Sequence, residues 1–224
     1  MGQMIEFPRP DGRKARGYLA QARTADAPGI VVIQEWWGLQ EQIKGLCDRL
    51  AESGYQALAP DLFQGVVVPY HDAGQAAKKM NSLDFLEATD QDVRGAAQYF
   101  AGQGRTVGLT GFCMGGAITL LGAVRIPELA AAVIFYGLPP ASVADPANVR
   151  IPIQAHFANQ DTWCTPATVD AFESALKAAQ KSFELYRYEA DHAFVNAQRA
   201  EVYDAAAADL AWQRSLDFWK RHLG

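Results

Sequence analysis

Three side chains pose the chemical question in this chain: a cysteine, an aspartate and a histidine, in that order, at positions 113, 161 and 192. A thiolate attacks an acyl carbon, an imidazole takes and returns the proton, and a carboxylate holds the imidazole in the right tautomer and supports its charge. Cys113 stands in Gly111-Phe112-Cys113-Met114-Gly115-Gly116, with a glycine two residues to either side. Those glycines permit a sharp turn and a close approach of neighbouring backbone. The β-prone stretch Thr106 to Thr110 precedes the turn, and Ala117 to Leu121 continues after it as a helix. The thiol is therefore expected where a strand turns into a helix, beside the partial positive charge of a helix N-terminus, which favours thiolate. Taken singly, each residue has a plainer reading: Cys113 as a buried thiol in a glycine-rich turn, His192 as a structural histidine, Asp161 as a turn former or helix cap. Their order, and their common position on loops after strands, is what joins them into a candidate triad.

The elements that must position them follow from hydrophobic period and breakers. Met4 to Phe7 and Gly17 to Gln21, separated by Pro8-Arg9-Pro10-Asp11-Gly12, read as a hairpin-like opening. Gly29 to Gln34 is continuously apolar and β-branched until its last residue, as in a strand buried on both faces of a parallel sheet. It ends in Glu35-Trp36-Trp37-Gly38, and ligands bind beyond the carboxyl ends of such strands, so Glu35 is a site candidate. Ile43, Leu46, Cys47 and Leu50 recur at helical spacing, which predicts a helix from about Gln40 to Ser53 stopped by Gly54, with Cys47 as a small core residue. Gln56 to Ala59 is the next strand, completing one βαβ unit. Gly65 to Ser82 reads as a loop and a short helix overhanging the site. A helix is expected from about Leu83 or Asp84 to Phe100, with Asp90 and Asp92 facing solvent. Strands are expected at Ala130 to Tyr136, Pro152 to Ala158 and Ser182 to Tyr188. Thr165-Pro166 opens a helix to about Ala179, and a last helix is expected from about Arg199 to His222 with Trp212, Leu216, Trp219 and Leu223 inward. There is no repeat and no linker. The expectation is one α/β domain over residues 1–224, a mostly parallel central sheet with helices on both faces. The separations of 48 residues (161 − 113) and 31 residues (192 − 161) each leave room for a strand and a helix, so all three loops fall at one edge of the sheet.

Composition narrows the function classes. The net charge of −5 and the single short basic run, Arg13-Lys14-Ala15-Arg16, argue against nucleic-acid binding. Three cysteines make no disulfide framework, and a reduced, cytoplasmic setting is the simpler expectation. The N-terminus lacks the pattern of a signal peptide, Glu6 stands where a myristoylation motif has Ser or Thr, and no apolar stretch is long enough for a membrane span. No ligand cluster has metal spacing, and nothing calls for a cofactor.

The chain resembles the dienelactone hydrolase family of the α/β-hydrolases over nearly its full length. The resemblance rests on Gln34-Glu35-Trp36-Trp37-Gly38, Ala59-Pro60-Asp61-Leu62-Phe63, the hexapeptide around Cys113, Asn159-Gln160-Asp161 and His192-Ala193-Phe194. It implies the α/β-hydrolase fold and a cysteine hydrolase that opens lactones or esters, with Cys113, Asp161 and His192 as its triad. It further implies that Glu35 assists formation of the thiolate, and that the backbone N–H groups of Met114 and Trp36 form the oxyanion hole. Family members acting on dienelactone hold the substrate carboxylate with arginines. One such place, four residues after His192, is Asn196 here, and the other falls in a region that offers Lys78 and Lys79. The reaction type is carried over and the substrate is left open.

Trp36, Trp37, Trp163 and Phe194 are candidate pocket walls, and the tryptophans serve equally as core. His71 reads as surface, His156 as sheet-bound and Cys164 as a packed thiol. The expected partner is a small-molecule lactone or ester, acted on by a monomer or small homo-oligomer. Two other readings use the same residues: a thiol sensor of peroxides or electrophiles, with Cys164 as partner of Cys113, and a thioesterase or acyltransferase.

Overall fold

The structure is a computed structural model and describes residues 1–224. The chain opens on a hairpin, β1 (Gln3–Pro8) antiparallel to β2 (Lys14–Ala20), and Gly12 supplies the positive φ of the turn. Then follow β3 (Gly29–Ile33), helix α1 (Glu41–Glu52) and β4 (Gln56–Pro60). Helix α2 (Ala73–Ser82) leads to a short turn α3 (Phe85–Glu87), a π-helical turn over Ala88–Val93 and α4 (Arg94–Ala101). The second half runs β5 (Val107–Phe112), α5 (Met114–Arg125), β6 (Leu129–Phe135), β7 (Ile153–Ala158), α6 (Pro166–Ala178), β8 (Phe183–Tyr188) and α7 (Ala205–His222).

The eight strands form one sheet in the order β1-β2-β4-β3-β5-β6-β7-β8. Only β2 is reversed, antiparallel to both β1 and β4; the strands from β4 through β3 to β8 are parallel. Continuous apolar strands demand cover on both faces, and the alternation along β3 shows how it is met. Val31 and Ile33 join the core beneath α4, α5 and α6; Ile30 and Val32 join the core beneath α1 and α7. From β3 the chain crosses first to β4 on one side and later to β5 on the other. The crevice where the winding reverses lies between the carboxyl ends of β3 and β5, the place where open α/β sheets bind ligands. Glu35 follows β3 there, and Cys113 follows β5.

Two helices depart from the expected spans. The helix expected over residues 84–100 is interrupted by the π-helical turn. Thr89 Oγ1 donates to the Phe85 carbonyl at 2.6 Å, a local bond that competes with the regular ladder. Asp90 and Asp92 on that turn are not free surface acids: Asp90 meets Arg125 at 2.5 Å, and Asp92 lies half-buried 3.4 Å from Arg9. The last helix begins at Ala205 and not near Arg199, because Asp204 caps it, accepting from the Ala207 N–H at 2.9 Å. Residues 197–203 are thereby released as irregular chain over the sheet edge.

Candidate active site

Cys113 ends β5 and caps α5 with φ 56° and ψ −117°, a conformation that non-glycine residues adopt only under constraint. Of the five non-glycine residues with positive φ, four (Gln64, Cys113, Tyr136 and Ala193) stand on loops at this end of the sheet. The constraint at Cys113 is visible in the backbone around it. A Cβ at Gly115 would lie 2.5 Å from the Ile33 carbonyl oxygen, and one at Gly137 would strike the Cys113 carbonyl oxygen. The thiol is thus lifted out of the sheet end by packing that only glycines allow.

His192 and Asp161 reach the same place from the loops after β8 and β7. His192 Nδ1 and Asp161 Oδ2 are 2.6 Å apart. The other carboxylate oxygen of Asp161 accepts the N–H groups of Trp163 at 2.7 Å and Cys164 at 2.9 Å. Burial pushes the Asp161 carboxyl up, but the bond to His192, its charge and the two N–H donors outweigh that and hold it below the usual range. Burial likewise pulls the His192 imidazole down. The charge of Cys113 and the bond to Asp161 prevail, and its pKa rises to about 10. Cys113 and His192 line the same cavity.

Glu35 is 2 % exposed. Tyr136 Oη donates to its Oε1 at 3.2 Å and Asn196 Nδ2 to its Oε2 at 2.9 Å. Burial raises its carboxyl above the ordinary range, against the Asn196 bond, the charge of His192 and the Tyr136 bond. The N–H of Trp36 donates to no backbone carbonyl, and Met114 is the first residue of α5, where N–H groups have no acceptor within the helix. A thiol and an imidazole backed by a buried carboxylate therefore share one point at the end of the sheet, and two N–H groups without a backbone acceptor lie on the adjoining loops.

That point opens into a cavity of about 430 Å³. Trp36, Trp37 and Trp163 form its aromatic wall, their rings meeting edge-on with centroids 5.1 Å (Trp36–Trp37) and 5.3 Å (Trp36–Trp163) apart. Sequence reasoning missed its cation. Arg199 lines the cavity, stacks 5.5 Å over Trp37 and donates through Nε to Glu201 at 2.9 Å, which leaves its terminal nitrogens without a protein acceptor. The late start of α7 is the reason: on a helix beginning at Arg199 the residue would have read as a surface charge. Tyr136 and Tyr70 were missed too. Tyr136 closes an apolar strand and reads as core.

Four of the six substrate-binding candidates do not line the cavity, and neither do the carboxylates of Glu35 and Asp161. Lys78 and Lys79 are carried on α2 beside Met80, which does line it. Asn196 is fully buried behind the site and holds Glu35. Phe194 is also fully buried, its ring 5.5 Å from Tyr136 and 5.0 Å from Tyr188, because the chain dives inward after His192. Cys47 is sealed in the core under α1, and His71 is exposed. His156 lies inside β7 between Tyr188 Oη and Gln154 Oε1, each 2.8 Å away. Burial, then the charge of Arg214, lowers it to about 3 and keeps it neutral.

The sequence profile of the dienelactone hydrolase family matches residues 15–223. The chain belongs to that family. Protein usf of Aquifex pyrophilus is 34% identical over the whole of both chains. An Aquifex aeolicus protein provisionally named carboxymethylenebutenolidase is 33% identical, again over the whole of both. Among solved structures, a Klebsiella pneumoniae protein provisionally described as a dienelactone hydrolase superposes with a TM-score of 0.87 at 32% identity, covering 99% of this chain and 100% of its own. The fold is that of the α/β-hydrolases, and this dienelactone hydrolase family member is a hydrolase. None of its helices is long and apolar enough to cross a membrane.

Proposed function

We propose that the protein hydrolyses carboxylic esters or lactones by a cysteine mechanism through an acyl-thioester. The observation that carries the reading is the strained Cys113, at the head of α5 and beside a histidine already bonded to a buried aspartate. The Cys113 thiolate attacks the acyl carbon, and the carbonyl oxygen takes the negative charge facing the N–H groups of Met114 and Trp36. As the tetrahedral intermediate collapses, the C–O bond breaks and His192 protonates the departing alkoxide. In a lactone the alkoxide stays tethered to the acyl group. His192 then takes a proton from water, hydroxide adds to the thioester, and the acid leaves as the thiolate is regenerated. Asp161 fixes the imidazole through Nδ1. Glu35, its oxygens held by Tyr136 and Asn196 and neither bonded to the thiol, acts through space, its charge when ionised favouring the imidazolium. Arg199 receives a carboxylate or other anionic group of the substrate, for which its planar fork is suited.

The thiol-sensor reading finds less support. Cys164 is 5 % exposed and burial pushes its thiol up to about 12, so it stays protonated and is poorly suited to pair with Cys113. Three free thiols accord with a reducing compartment such as the cytoplasm. The test is turnover of 4-nitrophenyl acetate with intact-mass analysis of a quenched reaction. We expect an acetyl adduct on Cys113, and a fall of at least about a thousandfold in kcat for Cys113→Ala. Undiminished turnover by that variant ends the proposal.

A further inference from the structure

The sulfur of Cys113 stands at the junction of two cavities. Opposite the Arg199 chamber lies a second space of about 520 Å³ that shares Cys113, His192, Met80 and Trp163 with it. One lip is the joint between α2 and α3, with Leu83 and Phe85; the other is the loop after β6, with Leu138, Pro140 and Val143. Besides the thiols, Tyr136 and His192, its one ionisable wall residue is Asp84. One oxygen of that exposed carboxylate, Oδ1, caps α3, accepting the N–H groups of Leu86 at 2.9 Å and Glu87 at 3.0 Å. Val143 is 46 % exposed on the rim, and Leu83, Phe85 and Leu138 are only half-buried. Uncovered apolar surface of this kind, continuous with a nucleophile and of the size of a small-molecule site, gains by receiving hydrocarbon. The two chambers differ in character: an aromatic wall with a guanidinium on one side, aliphatic and proline surface on the other. A compact lactone is too small to occupy both at once.

We infer, building on the proposed hydrolase reading, that the substrates are two-armed esters. The scissile carbonyl lies at Cys113, a polar or anionic arm points to Arg199, and a hydrocarbon arm, a medium alkyl chain or an aryl group, lies between Leu83 and Val143. Whether that arm belongs to the acyl or the alcohol half is decided by the same experiment. Two series are assayed with wild-type enzyme: 4-nitrophenyl esters with acyl chains from acetyl to hexanoyl, and acetates of straight-chain alcohols of matching length, followed by acid release. In one series kcat/KM rises about three- to fourfold per added methylene, the value of burying each group. Val143→Asp, at the exposed rim, and Leu83→Asn each lower the ratio of longest to shortest substrate at least tenfold. Both series flat or falling in wild-type enzyme, or a slope unchanged in both variants, overturns the inference. Cys113-dependent turnover with flat series refutes only the second cavity's role, whereas rising series that persist in Cys113→Ala refute the mechanism itself.

Discussion

His192 is the residue at which structure, charge and pH meet. At its imidazole the charge of Cys113 and the bond to Asp161 exceed the cost of burial, taking it from an ordinary 6.5 to about 10. A histidine whose folded pKa is raised contributes stability in full below its unfolded value and loses it as pH climbs through the folded value. The advantage in urea midpoint of wild type over His192→Gln is therefore expected to shrink between pH 6.5 and about 10. A difference that stays constant across that window would remove the charge pairing at this site. Glu35 shows the opposite balance, since burial is its dominant influence and two neutral donors, Tyr136 and Asn196, only partly offset it. An amide at position 196 thus serves the carboxylate from within, while the free cation of the site stands three residues on, at Arg199.

At the scale of elements, the turn from β5 into α5 depends on its neighbours as much as on its own glycines. The loop after β6 passes so close that Gly137 has room for no side chain: a Cβ there meets the Cys113 carbonyl oxygen and lies 3.0 Å from the Ala117 nitrogen. Gly137→Ala must push the turn at Cys113 aside. We expect a loss of about 1–3 kcal/mol in thermal or urea unfolding. We also expect a fall of about a hundredfold in kcat for an activated ester, as small misplacements of reacting groups cost that much. Wild-type activity in Gly137→Ala would mean the turn tolerates displacement. The irregular segment before α7 carries the same lesson. The helical period that marks Trp212 and Trp219 extends backwards on paper to Arg199, but the Asp204 cap ends it, and the released chain brings Arg199 over the site.

At the scale of the whole molecule, two cores flank one sheet, and the site sits where the winding changes direction. The α7 core is built around Trp219, 1 % exposed, packed over Gly108 of β5; a Cβ at that glycine would lie 2.8 Å from the indole. Trp219→Ala should cost about 3–5 kcal/mol and lower Tm by roughly 6–20 °C in a chain of this size. A Tm within about 2 °C of wild type would show that the cavity collapses or that α7 contributes little. The strands, most helices and the order cysteine, aspartate, histidine on loops after strands are legible in the linear chain, because hydrophobic period and turn chemistry act within a few residues. Those local rules determined the layered fold and the loops on which Cys113, Asp161 and His192 lie. They could not assign the partners of Glu35, which come from 101 residues away at Tyr136 and 161 at Asn196. Nor could they place Arg199 in the chamber, bury Phe194, or divide the space around the sulfur into a polar and an apolar half. Those were decided only when the sheet assembled, because contacts across it depend on which loops the topology sets side by side and leave no periodic trace in the residues between.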